Sequence, residues 1–334
     1  AGVEPVNYAL RNAVADLTQF EEFEEVRSWF HEDAMTQFTF EGGVYALPQT
    51  MSFHVMFYRA DILKELGLAI PETWDDFYEA LAVIQKNNMN IGITPDYTTF
   101  AMYLYQHGGT YYTEDGMASG LDTENAVEAF KRWTSNYVNY RMPVTYDFAN
   151  RSRNGEMPLA IGDYTNYSYL SVFAPEIRGL WGFTVVPGYE RQDGTIDHSV
   201  STWESASVIM ATSDRKEDAW NFLKWWMSAE TQSSYGNEIE NVLGVSGRVA
   251  TANLEALANL PWSNRDYRQL TAQLQWVQAI PQIPGSYYTE RNIKNAFYTV
   301  YNNNEDPRET LQDIVKTINT EIDSKRKEFG LPVR

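Results

Sequence analysis

Residues 41–59 read EGGVYALPQTMSFHVMFYR, and the fold follows from how that stretch is taken. A Gly-Gly turn leads into Val44, Ala46 and Pro48, and Val55, Phe57 and their neighbours form a second extended run. The alternation and the β-branched and aromatic residues favour strand, with Pro48 interrupting the ladder between the two runs. Proline has no backbone N–H to donate, so a strand that carries one lies at an edge or passes between sheets. A strand that leaves one sheet at a proline and enters another gives two lobes a shared chain. The same residues also fit a hairpin arm beside an ordinary loop.

The choice between these is made by resemblance. YALP at 45–48, a polar pair and a strand ending in FYR at 57–59 resemble the crossover of extracellular solute-binding proteins of ABC importers. These are the maltose-binding-protein-like group, which carries sugars and sugar-like molecules. Residues 61–81, DILKELGLAIPETWDDFYEAL, resemble that family's helix, Gly-Leu break, Pro-x-Thr-Trp-Asp-Asp and next helix. The similarity continues intermittently from Val6 to the C-terminus. It implies an α/β, two-lobed periplasmic-binding-protein-like fold with interlobe crossover strands. Ala46–Gln49 and Ser201–Ser205 are then expected side by side as crossings. The resemblance divides the chain into lobe one (1–47), lobe two (48–203), a return to lobe one (204–248) and a helical segment (249–334) packing on lobe two and the hinge. In the family, the segment resembling NYALRNAVADLTQF at 7–20 follows a strand, a helix and a strand with no counterpart here. Lobe one is therefore expected to be incomplete at its N-terminus, the chain being a fragment or a processed form.

Length and composition agree with that frame without requiring it. A chain of 334 residues can bury a large core and suggests two domains. Its 26 basic and 45 acidic residues give a formal net charge of −19, a field that repels phosphate backbones and anionic lipid and so disfavours nucleic acid. There is no cysteine, which removes disulfides, thiolate nucleophiles and Cys-based metal sites together. No apolar run approaches the ~20 residues that span a bilayer, so direct membrane insertion by this chain is not expected. Neither a signal peptide nor a lipidation cysteine is visible. The resemblance implies an extracellular, cell-surface chain tethered through a missing N-terminal part, with a membrane permease as partner.

Helix signals are clear at several places. Thr73 is a good N-cap for Asp76, with Phe77, Leu81 and Ile84 as the buried stripe. Asp122 or Thr123 starts a helix whose Ala126, Phe130, Trp133 and Tyr137 share one face. Ser213 and Asp214 start another, with Ala219, Phe222, Leu223 and Trp226 on one side. Asp306, Pro307 and Glu309 open the last, Leu311, Ile314, Val315, Ile318 and Ile322 form its stripe, and Gly330 ends it. Between helices lie strand-like runs at 157–161, 181–186 and 206–210, which argues mostly parallel sheets.

His31, His54, His107 and His198 are scattered without ligand spacing, each expected as a surface or satisfied polar residue. Neither nucleotide-binding glycine motif occurs, nor Gly-x-Ser-x-Gly. The acidic clusters at 21–25 and 302–306 lack the spacing of a calcium loop. No catalytic residue, metal or cofactor is expected. The one enzymatic alternative is a carbohydrate-active hydrolase using Asp163 and Glu204, both beyond strands and beside aromatics. A stand-alone interaction module is a further alternative.

Ligands of open α/β sheets bind outside the carboxyl ends of strands. That selects the segment 94–100, GDYTNY at 162–167, VSTWESAS at 200–207 and PQIPGSYYTER at 281–291. The last three resemble, in order, the family's glycine-and-aromatic segment, its returning crossover and its proline-bounded aromatic stretch. A sugar ring has a C–H face that packs on an aromatic ring and a rim of hydroxyls that needs donors and acceptors. Tyr97, Tyr164, Trp203, Tyr287 and Tyr288 offer faces; Gln49, Asp163, Asn166, Glu204 and Arg291 offer rims. The expected ligand is a carbohydrate, with a peptide or cationic solute as the alternative, because carboxylates serve ammonium groups equally.

Overall fold

Leu47–Arg59 is a single strand of 13 residues in the computed structural model, which describes residues 5–334. Pro48 stands near its start and does not divide it in two. The disturbance is confined to a register shift between Pro48 and Thr50. A residue that cannot donate to the ladder is absorbed here by a local irregularity, and the strand continues through it.

The first half of this strand pairs antiparallel with Val200–Ser207, from Leu47 opposite Ser207 to Phe53 opposite Thr202. Its second half pairs antiparallel with Leu159–Asp163 on one edge and Trp181–Thr184 on the other. One strand thus belongs to two sets of partners, and two lobes grow from it. The two crossings do run together, but Pro48 faces Ala206 and it is Thr50–Phe53 that meet Thr202–Ser205. Residues 250–252 add a third passage: Ala250 accepts from the Met51 amide at 2.9 Å, and the Ala252 amide donates to Gln49 at 3.1 Å.

Between the strands of the described residues, parallel pairing is confined to the flanks, Ile91–Ile93 with Leu159–Ile161 and Val277–Gln278 with Val200–Ser201. The expectation of mostly parallel sheets is corrected accordingly, because the central strand runs against every partner it has. From Met51 to Arg59 each residue of that strand is buried. Arg59 can be so because Asp61 takes its fork at 2.9 and 2.7 Å and the Ser152 carbonyl takes a third bond at 2.6 Å.

Thr73 and Asp76 form a reciprocal capping box, and Phe77, Leu81 and Ile84 are buried behind it. Thr123 caps Glu124–Val138, whose Trp133 and Tyr137 pack on Phe297 at 4.9 and 5.1 Å. Those contacts seat Ser286–Asn303 on Glu124–Val138, and Pro307–Glu328, capped by Asp306, packs alongside. The helix Lys216–Met227 departs from the reading. It starts at Lys216 without a side-chain cap and buries Trp220, Leu223 and Met227, leaving Phe222 57 % exposed. Trp220 fixes the rotation by stacking on Phe20 at 5.1 Å and donating its indole N–H to the Glu21 carbonyl at 3.1 Å.

Candidate functional site

Ile91–Ile93 and Leu159–Asp163 run parallel, so their carboxyl ends lie side by side. Each is followed by a helix start, at Tyr97 and at Asn166. A cleft of ≈ 620 Å³ opens there, lined by Thr94, Asp96, Tyr97 and Thr98 from the first end and Gly162, Asp163, Asn166 and Tyr169 from the second. Tyr146–Phe148, Glu290, His54, Trp203 and the strand residues Ala160 and Ile161 complete it. A smaller recess of ≈ 100 Å³ shares Tyr97, Trp203 and Glu290 and extends to Gln37 and Tyr287.

Strand register explains which side chains arrive. Trp203 lies opposite Ser52, and His54 lies opposite Asp163. Cross-strand partners share a face, as do residues two apart along a strand. Trp203, Ser52, His54 and Asp163 therefore form one row on the cleft side of the crossing. Their sequence neighbours point the other way. Glu204 is only 1 % exposed, and Tyr164 only 2 %. Tyr164 packs on Phe53 at 4.9 Å and donates its hydroxyl to the Met51 carbonyl at 3.0 Å, so it offers no face to a ligand.

The remaining expected residues divide in the same way. Tyr97, Asp163, Asn166 and Trp203 line the cleft and Tyr287 the recess. Tyr288 stands behind Tyr287, ring centroids 4.2 Å apart, while Arg291 is exposed outside both cavities. Gln49 accepts from the Ser207 hydroxyl at 3.3 Å on the crossing and also misses the lining. Asp163 and Glu204 do not share a cavity, so the carboxylate pair of a hydrolase is not assembled from them.

Several site residues escaped the sequence reading, and His54 matters most. It is 8 % exposed, lines the cleft, and its Nδ1 has no hydrogen-bond partner. The other three histidines are satisfied as expected, through Asp33, Tyr103 and Val186 backbone groups. Tyr146, Asp147 and Tyr169 also belong to the lining, as do Asp96 and Glu290, which lie in the selected segments 94–100 and 281–291 without having been singled out. Asp96 caps the helix Tyr97–Gln106, accepting from the Thr99 amide at 2.8 Å.

Local geometry holds the polar rim in place. Asp163 Oδ1 accepts from the Thr165 amide and hydroxyl at 2.8 and 2.7 Å, a turn that fixes the carboxylate at the strand end. Gly162 leaves room for Asn166: a Cβ there would come within 2.9 Å of Asn166 Nδ2. Burial, reinforced by Asp96, pushes the Tyr146 hydroxyl up, so it stays a donor. Among the described residues the lining carries Asp96, Asp147, Asp163 and Glu290 but no lysine or arginine. Its field rejects anions and its oxygens accept from hydroxyl or ammonium donors.

Beneath the cleft, Glu204 is buried and accepts from Gln37 Nε2, with Oε1 unpartnered. Burial holds its carboxyl well above the usual range; the Thr202 hydroxyl opposes and Asp33 adds to this. Gln37 in turn lines the recess, so the acid supports the site from behind.

Comparison with known proteins then decides the family. Residues 6–233 match the model of bacterial extracellular solute-binding proteins. The chain belongs to that family. An arabinooligosaccharide-binding protein of Bacillus subtilis is 24 % identical over 236 residues, covering 65 % of this chain and 52 % of the relative. The chain thus spans about half the length of that relative. A sugar-binding protein of Xanthomonas citri superposes with a TM-score of 0.79 at 16 % identity, covering 99 % of this chain and 84 % of the other. An ABC substrate-binding protein of Listeria monocytogenes, solved with cycloalternan, superposes with a TM-score of 0.76 at 20 % identity over 99 % and 84 %. These solute-binding-protein structures bear out the two-lobed fold.

Proposed function

We propose that this chain is the carbohydrate-capturing part of an ABC importer, taking an oligosaccharide between its lobes. The observation that carries the reading is Trp203. It is 57 % exposed on the crossing strand, at the mouth of a cleft of carboxylates, hydroxyls and one unpartnered imidazole. Such an exposed ring, beside acceptors and without a cation, is what a sugar's C–H face and hydroxyl rim require. Asp163, Asn166 and His54 hold hydroxyls in this reading, with Tyr97, Tyr287 and Glu290 at the recess. Tyr164, Glu204, Gln49, Tyr288 and Arg291 act outside the contact surface. The names of the matched relatives support a saccharide, arabino-oligosaccharide first.

Capture works as a population shift: the ligand favours the closed form because only there does it touch both lobes. The lobes in this reading are 1–47 with 204–248, and 48–203 with the helices of 249–334. Delivery is to a membrane permease at the outer cell surface, with the protein tethered nearby. The same acidic lining favours a second reading, a cationic solute. Titration calorimetry with arabino-oligosaccharide separates them. Binding insensitive to salt and lost in Trp203→Ala supports sugar, whereas salt-sensitive binding of a cation rejects it.

A further inference from the structure

The helix Asn166–Phe173 has a second cavity behind it, ≈ 380 Å³, of opposite character to the first. Tyr167 and Ser171 face it, while Asn166 and Tyr169 of the same helix face the cleft. Three guanidinium groups line this cavity, Arg178, Arg248 and Arg265, in a chain whose net charge is −19. Arg248 forms a wall with its side chain only 7 % exposed, paired with Glu240 and lying over the Trp262 ring at 4.3 Å. Its Nη1 has no hydrogen-bond partner. A buried charged donor left unpaired costs free energy.

The other two arginines sharpen the point. Among the described residues neither Arg178 nor Arg265 makes an ion pair; Arg265 donates to the Tyr58 hydroxyl at 2.5 Å. The one carboxylate of the lining, Asp266, is engaged by the Ser263 hydroxyl at 2.8 Å. Trp181 adds an aromatic wall. The helix Asn264–Leu274 opens onto the cavity with its N-terminal turn, whose dipole favours negative charge.

We propose that this cavity is a separate binding site for a small molecule bearing an oxyanion, with its ring or apolar part against Trp181. Carboxylate and phosphate share the chemistry that arginine forks recognise, and the size suits a monosaccharide-sized molecule. The main cleft, acidic and without a cation, would reject the same molecule.

The test titrates the protein with inorganic phosphate and, separately, with glucuronate, glucose serving as the uncharged control. The expected result is saturable binding of at least one oxyanion and none of glucose at this site. That binding survives Trp203→Ala and weakens at least about tenfold in the double variant Arg178→Gln, Arg265→Gln. The tighter of the two probes identifies the charged group. Arg265 also bonds Tyr58, so Arg178→Glu serves as the second variant, since Arg178 makes no ion pair to lose and its reversal should abolish binding while the melting temperature holds. Absence of saturable binding for both oxyanions, or affinity unchanged in Arg178→Glu, overturns the proposal.

Discussion

The two cavities on either side of the helix Asn166–Phe173 differ in almost everything except the helix that separates them. The front one is lined by four carboxylates and no cation, the rear one by three arginines and a single aspartate. A net charge of −19 describes only the first. Whole-chain charge sets long-range repulsion, but local selection depends on which residues the fold turns toward each hollow. The helical period does the sorting here: positions 166 and 169 go one way, 167 and 171 the other.

The contrast is broken most strongly at Trp203. Trp203→Ala should lower sugar affinity by about a hundredfold, from a loss of ~3 kcal/mol for a large aromatic face. Calorimetry reads this directly, and oxyanion binding at the rear should not move. His54→Phe keeps an aromatic ring, somewhat larger, but removes both ring nitrogens, the unpartnered Nδ1 among them. It should weaken sugar binding roughly three- to tenfold, the worth of one hydrogen bond, in the same titration.

Glu204 tests the support beneath the cleft. Its folded-state pKa is raised, so the folded chain holds the proton that the unfolded chain releases. Stability is then greatest at and below the ordinary carboxylate range and falls as pH rises from there toward the raised value. Glu204→Gln should remove that fall and melt higher than the parent at neutral pH, with sugar affinity little changed. Melting curves across pH check it, and parallel curves for the two proteins would contradict it. The smallest effect is expected outside the cavities, where Arg291→Ala should leave affinity within about twofold, since exposed side chains off the contact surface carry little binding energy.

The sequence was most legible where a local rule acts alone. Thr73, Thr123 and Asp306 cap helices because a short oxygen-bearing side chain beside free amides has one good use. The crossover was legible through Pro48 and the family likeness, although proline displaced the register instead of breaking the strand. The site was half legible. Choosing strand ends selected the right neighbourhood, but Trp203 and Glu204 were both placed in the cleft, as were Asp163 and Tyr164. Adjacent strand residues cannot both face one side. Alternation was enough to say that one of each pair is hidden; which one depends on register with Ser52 and His54, a non-local fact. His54 was missed for the same reason, since nothing beside it in sequence marks its face. Trp220 shows the helical counterpart: a tertiary stack on Phe20 chose the buried face against the local pattern.

The central claim is that the front cleft recognises an uncharged saccharide by stacking and hydroxyl contacts. Titration of the protein with arabino-oligosaccharide at low and high salt tests it most directly. The account predicts saturable binding whose affinity is nearly the same at both salt concentrations, with a negative heat-capacity change from the covered aromatic surface. No binding of the saccharide, together with a cation whose affinity collapses at high salt, would contradict it.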